Sequence, residues 1–219
     1  MRVFYSIASI ALAVVVLSGC ASTQFQVSGH SPPQQSLCQR PGEQASALVL
    51  WGPKWRPDQK EVPKREAAAQ RGIEDFFSSS GCFAKTSVIR LVGDRESINL
   101  SPSEIGALVA TEATPRHHVL VITVRELGPI LKLFSSLVLV EGGTDVVLDI
   151  RAFSPATEQT TADFTSHWQN GGPLVVKGVA TLEQDIGSAL QEALQPFSPS
   201  RIPRSFITAE SISRRPVLV

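Results

Sequence analysis

Asp145-Val146-Val147-Leu148-Asp149-Ile150-Arg151-Ala152-Phe153 and, after a short interruption, Ala162-Asp163-Phe164-Thr165-Ser166-His167-Trp168 decide the fold class of this 219-residue chain. In the first run Val146, Leu148, Ile150 and Ala152 alternate with Asp145, Val147, Asp149, Arg151 and Phe153. In the second, Ala162, Phe164, Ser166 and Trp168 alternate with Asp163, Thr165 and His167. Successive residues of a strand point to opposite faces, so this period of two predicts strands with one apolar and one mixed face. The segment from Pro155 to Thr160 reads as a turn. The two runs therefore form an antiparallel hairpin covered on one side.

Working outward, His118 to Leu127 reads as a strand, with Val119, Leu120, Val121, Ile122 and Val124 close together. Ala47-Leu48-Val49-Leu50-Trp51 is a continuous apolar run, as a fully buried strand requires, and Thr86 to Val92 is a further strand. Leu137 to Val140 is a shorter apolar run. Glu141-Gly142-Gly143-Thr144 reads as a turn and Asn170-Gly171-Gly172-Pro173 as a break after the hairpin. Between the strands the period changes. Ala69, Ile73, Phe76 and Phe77 recur at helical spacing, and Gly81 suits the left-handed residue that ends a helix. Ser101-Pro102-Ser103-Glu104 is a capping box, with Ser at N-cap, Pro at N1 and Glu at N3. Leu182, Ile186, Ala189, Leu190, Ala193 and Leu194 form the stripe of a last helix, with Glu183, Asp185, Gln191 and Glu192 outside it and Pro196 after it. The expected class is α+β: a mostly antiparallel sheet of about five strands with two to three helices packed on one face. The domain spans 47–196, between a Ser-, Gln- and Pro-rich tether over 20–46 and a loosely ordered tail over 197–219.

The N-terminus carries an address. Arg2 precedes an almost wholly apolar stretch, Val3 to Leu17, and Leu17-Ser18-Gly19-Cys20 follows. The stretch is too short to span a bilayer comfortably and ends in small residues, so residues 1–19 read as a secretory signal peptide. The quartet resembles the lipobox of bacterial lipoproteins. That resemblance implies diacylglycerol on the Cys20 thiol, cleavage before it and a third chain on the new amine. The membrane is then a partner through those acyl chains, each buried methylene contributing about 0.8 kcal/mol. Ala21 stands where the enterobacterial sorting pattern uses aspartate for inner-membrane retention, which implies the periplasmic face of the outer membrane.

The remaining cysteines, Cys38 and Cys82, make an even pair in an oxidising compartment. The expected state is a Cys38–Cys82 disulfide, with two buried free thiols as the alternative. Basic and acidic side chains balance at 20 each, with no basic run, so nothing draws in nucleic acid.

The order of elements resembles the periplasmic domain shared by the curli secretion lipoprotein CsgG, the amino-terminal domain of TolB and the penicillin-binding-protein activator LpoB. The resemblance lies in Ala47-Leu48-Val49-Leu50-Trp51, then Phe76-Phe77-Ser78-Ser79-Ser80-Gly81-Cys82-Phe83, then His118 to Val124, the hairpin, and Asp185-Ile186-Gly187-Ser188-Ala189-Leu190. It covers about residues 45–196 and implies a partner-binding envelope domain. Two long alternating hairpins of the kind that build a curli pore are not legible in the chain, so pore formation is not implied.

Chemistry is sparse in the sequence. His30, His117, His118 and His167 show no helical ligand spacing, and adjacent strand residues face apart, so no metal site or cofactor is expected. Asp145 and Asp149 share a strand face with Arg151, either as a carboxylate pair or as a solvated sheet face. No nucleophile elbow, phosphate loop or zinc-helix motif occurs. Gly128-Pro129-Ile130-Leu131-Lys132-Leu133-Phe134 is too apolar for an ordinary loop. It is either an extra packed element or an interface in which Ile130, Leu131 and Phe134 meet a partner. Trp51 reads as core and Trp55 as a possible interface residue. The expected role is a non-catalytic binding or scaffolding subunit of an envelope assembly, with an envelope protein or a second copy as partner. The alternative is a periplasmic hydrolase with an unrecognised site. Cys20→Ala should leave an unprocessed precursor that takes up no labelled palmitate; labelled mutant protein would misplace the lipidation site.

Overall fold

The computed structural model describes residues 22–33, 35–38, 45–92, 99–112, 114–134, 139–173 and 175–194. Residues 1–19, read above as a signal peptide, Cys20 and the tail from 197 lie outside them. Six strands form one sheet: β1 (Ser22–Ser31), β2 (Ser46–Pro53), β3 (Lys85–Arg90), β4 (His118–Phe134), β5 (Leu139–Ser154) and β6 (Gln159–Pro173). Three helices accompany them: α1 (Val62–Ser79), α2 (Pro102–Ala110) and α3 (Leu182–Leu194). The sheet order is β1-β6-β5-β4-β2-β3. Among these residues no helix is long and apolar enough to cross a membrane.

The class is α+β, but the sheet has six strands rather than five and is mixed. β2 runs parallel to both β3 and β4, while β4, β5, β6 and β1 pair antiparallel in succession. The parallel pairs follow from their connections, since α1 and α2 are crossover helices and a crossover returns the chain in the same direction. They also explain why the helices do not share one face. The β2-α1-β3 unit steps outward and β3-α2-β4 steps back across β2. Crossovers of one hand that reverse direction must lie on opposite faces. Accordingly Ala47, Val49 and Trp51 face α1 and α3, while Leu48 and Leu50 face the cluster that contains Ile105 of α2. Every residue of Ala47–Trp51 is buried, which is why that run shows no alternation.

Three further expectations are corrected. Ser22–Ser31 is an edge strand on β6, not tether. Phe25 and Val27 pack on the core while the residues between them face solvent, and an edge strand needs no more apolar content than that. Glu141–Thr144 is not a turn, and Asn170–Pro173 does not break the hairpin; both lie inside long strands. Their glycines serve close approach instead. Gly142 pairs with Gly172 and Gly143 with Gly171. A Cβ on Gly171 would sit 2.2 Å from the Gly142 carbonyl oxygen, and one on Gly143 would sit 2.7 Å from the Gly171 Cα. β4 likewise runs on through Gly128–Phe134, so that segment is a continuation of the strand.

The helix boundaries follow their local chemistry. Ser101 accepts from the Glu104 amide while the Glu104 carboxylate accepts from the Ser101 amide, completing the capping box. α2 then stops at Ala110, short of Glu112. After α1, Gly81 takes φ +65°, where a side chain would be strained.

Cys38 and Cys82 are joined, with Cα atoms 4.5 Å apart. The Leu37 and Cys38 amides and the Ser36 hydroxyl all donate to the Leu194 carbonyl at 3.0–3.1 Å. The disulfide thus fixes the segment that caps α3 against the residues just after α1, satisfying a terminal carbonyl that has no partner within the helix. Reduction, or the double change Cys38→Ser with Cys82→Ser, should lower unfolding free energy by about 4 kcal/mol in the chain-entropy picture of such a loop. Urea unfolding with and without reductant checks this, and an unmoved midpoint would refute it.

Candidate functional site

Among the described residues, the helices leave part of one sheet face uncovered. α2 packs Ile105, Leu108 and Val109 against β2, the start of β4 and Phe153 at the end of β5. The strand positions of β5, β6 and β1 on that same side are mostly polar: Asp145, Asp149, Arg151, Thr165, His167 and Gln169, with Gln24, Gln26 and Ser28 beside them in register; Val147 interrupts them and Phe153 lies buried in the α2 cluster. The alternation read from the sequence therefore continues as a polar face three strands wide.

The side chains on this face are ordered by one another. His167 Nε2 lies 2.6 Å from Asp145 Oδ1. Thr165 donates to Asp149 Oδ1 at 2.7 Å, and Arg125 stands 3.6 Å from the same oxygen. Arg151 donates to the Leu100 carbonyl at 2.7 Å, tying the face to the start of α2. Burial holds the Arg151 guanidinium below its ordinary value, and Asp163 and Asp149 oppose that shift. Asp145 and Asp149 are four strand positions apart, about 13 Å along the chain. They cannot share a proton, and each has its own neighbour, His167 for Asp145 and Thr165 with Arg125 for Asp149. The face is a solvated, charge-balanced surface rather than an acid–base pair.

The other histidines occupy unrelated places. His117 Nδ1 accepts the Ser46 amide at 3.1 Å, clipping the start of β2, while the His118 ring lies 5.7 Å from Phe83. His30 is exposed on β1. No group of three His, Cys, Asp or Glu side chains that could hold a metal ion occurs among the described residues.

Trp55 is half-buried against the core, and its indole N–H donates to Glu66 at 3.2 Å. Glu66 also receives Arg90, whose guanidinium lies 5.5 Å from the centre of the Trp51 ring. Of the apolar candidates on β4, Ile130 is half-buried and Leu131 is 58% exposed. The side chain of Phe134 lies outside the described residues.

A shallow groove of about 580 Å³ runs along the outer side of α1 and α3, lined by Asp75, Ser79, Ser80, Glu183, Gln184 and Gln191 among others. Beneath α3 is a polar group that sequence reading missed. Asp185 is buried, not outside the helix stripe. It accepts from Thr144 at 2.6 Å, Thr181 at 2.9 Å and Lys177 at 3.0 Å. The signal was present: Asp185 stands three residues after Leu182 and four before Ala189, on the stripe itself.

No protein-family model matches the chain, and no curated protein sequence does. Among solved structures, the chain is similar to the PelC dodecamer of Paraburkholderia phytofirmans, at 11% identity and TM-score 0.40 over 80% of this chain and 99% of that one. It is also similar to lipoprotein GNA1162 of Neisseria meningitidis, at 14% identity and TM-score 0.39 over 68% and 96%. A Xanthomonas campestris protein described as DUF330 is similar at 13% identity and TM-score 0.33 over 75% and 89%. Likeness at these levels leaves function and assembly to the chain's own residues.

The two polar groups should respond differently to truncation. Asp185→Ala leaves a partly buried Lys177 ammonium, the buried Thr144 hydroxyl and the Thr181 hydroxyl without their acceptor, and should cost about 3 kcal/mol. Asp145→Ala removes the partner of His167, whose own ring is more than a third exposed, and should cost about 1 kcal/mol or less. Chemical denaturation of both variants decides; equal losses would mean that the open face is structural.

Proposed function

We propose that this protein is a lipid-anchored envelope lipoprotein, held through acyl chains on Cys20 at the periplasmic face of the outer membrane. There it acts as a non-catalytic binding or scaffolding subunit of an assembly for secretion, transport or cell-wall synthesis. The observation that carries the reading is the ordered polar face of β5, β6 and β1. Its side chains are pre-positioned by mutual ion pairs and hydrogen bonds, so a partner docking there meets fixed groups and orders few rotamers on binding. The mixed signs of Asp145, Asp149, Asp163, Arg125 and Arg151 suit a protein surface carrying both charges. They do not suit a polyanion, which would need clustered cations. The partner is another envelope protein or a second copy of this chain.

The hydrolase reading finds one supporting feature, the Asp145–His167 contact, which resembles half of a general-base arrangement. It stands on an open sheet face, and the neighbouring Thr165 hydroxyl is engaged by Asp149. A deep cleft would be needed to exclude water and hold a substrate against that imidazole.

Isolation of the lipidated protein from solubilised envelopes, after crosslinking through a photoreactive residue at position 167, should recover a specific envelope partner or a homo-oligomer. Charge reversal of Asp149 and Arg151 should reduce that yield several-fold. Recovery of no partner, together with turnover of an ester, amide or glycosidic substrate by the purified protein, would overturn the reading in favour of the hydrolase.

A further inference from the structure

The segment after Cys20 has no slack. β1 begins at Ser22, and Ser22 lies opposite Gly171 on β6. Gly171 lies opposite Gly143 on β5, and Gly143 opposite Ile130 on β4. Ser22 therefore stands in the same cross-sheet row as Ile130. Cys20 is two residues earlier, which at full extension is about 7 Å of chain. A lipid on Cys20 is thus attached within that reach of one particular end of the sheet, with no tether to let the domain turn away.

At that end the β4–β5 pair continues past the row of Ile130. Leu131 pairs with Gly142, and pairing continues to Phe134 opposite Leu139. At about 3.3 Å per residue this carries the hairpin backbone about 13 Å beyond the row of Ser22, farther than the anchoring residue itself extends. The sequence there, Ile130-Leu131-Lys132-Leu133-Phe134 and Leu139-Val140, has one charged residue among seven. Leu131 is 58% exposed and Val176 is 78% exposed. The Val175 carbonyl oxygen lies 2.2 Å from where a Gly142 Cβ would stand, so this loop packs on the residue paired with Leu131. The opposite end of the sheet is the β5–β6 turn, which carries exposed Glu158.

We infer that the β4–β5 hairpin end, with Leu131 and Val176 beside it, enters the lipid surface next to acylated Cys20 and fixes the domain's orientation on the membrane. The inference rests on the proposed acylation of Cys20 and adds a second contact to it. Two attachments at one end of a rigid sheet stand the strands up from the bilayer, with the Glu158 turn farthest from it. The occupant is lipid rather than a second copy because the anchor brings this end to the bilayer by covalent connection, at whatever protein concentration.

The test uses the mature acylated protein in vesicles of phosphatidylethanolamine and phosphatidylglycerol. Single thiols introduced by Leu131→Cys, Val176→Cys and Glu158→Cys carry an environment-sensitive fluorophore, and all three sites are exposed enough to tolerate it. Brominated acyl chains should quench the labels at 131 and 176 at least two-fold more than the label at 158. Equal quenching at the three sites, in protein whose mass shows the acyl chains on Cys20, would overturn the inference and leave the anchor reading intact. A mass without acyl chains would overturn the anchor reading, and this one with it. Burial of the 131 label that depends on protein concentration and not on lipid would assign the surface to a second copy instead.

Discussion

Hand governs this architecture. A chain that steps outward from β2 to β3 and then back across β2 to β4 must place its two connecting helices on opposite sides of the sheet. β2 and the first half of β4 are sealed above and below, and the core divides into two layers around them. Because α2 is only nine residues long, it covers the parallel half of the sheet and little more. The antiparallel half has helices on one side alone. Its other side is mostly polar, and no helix among the described residues covers it.

What could be read from the chain followed the strength of each local signal. The capping box at Ser101, the stripe of α3 and the Asp145–Trp168 hairpin each rest on several residues agreeing, and each lies where it was expected. The glycine pairs misled because glycine serves two purposes. At Gly81 it supplies a positive φ and ends an element; at Gly142, Gly143 and Gly171 it removes a Cβ so that backbones can meet. Composition alone does not separate these uses. β1 was illegible for another reason. Half of an edge strand's residues face solvent, so Ser and Gln dominate it and Phe25 and Val27 are its main core contacts. Of the polar face, the alternation was legible. Its pairings, Asp145 with His167 and Asp149 with Thr165, depend on register, which no local signal fixes.

Asp185 shows how polarity can mislead about burial. A carboxylate inside a helix–sheet interface is costly unless every lone pair is met, and here two hydroxyls and an ammonium from three separate segments meet it. Thr144 comes from β5, Lys177 from the connection after β6 and Thr181 from the turn before α3. The group works as a locator, setting where α3 lands on the sheet, since sliding the helix by one turn would part Asp185 from Thr144 of β5.

The pairing of β1 with β6 also sets an order in time. Ser22 and Gly171, which meet at this seam, are separated by 149 positions along the chain. The first strand to leave the ribosome therefore has to wait for the last one before it can bond. During that interval neither side of the seam is protected, and long loop closure delays the meeting further. The Ser- and Gln-rich character of Ser22–Ser31 suits such a wait. A segment with so few apolar residues is a poor template for pairing with other nascent chains. The same composition that disguises the strand protects the chain while it is still incomplete.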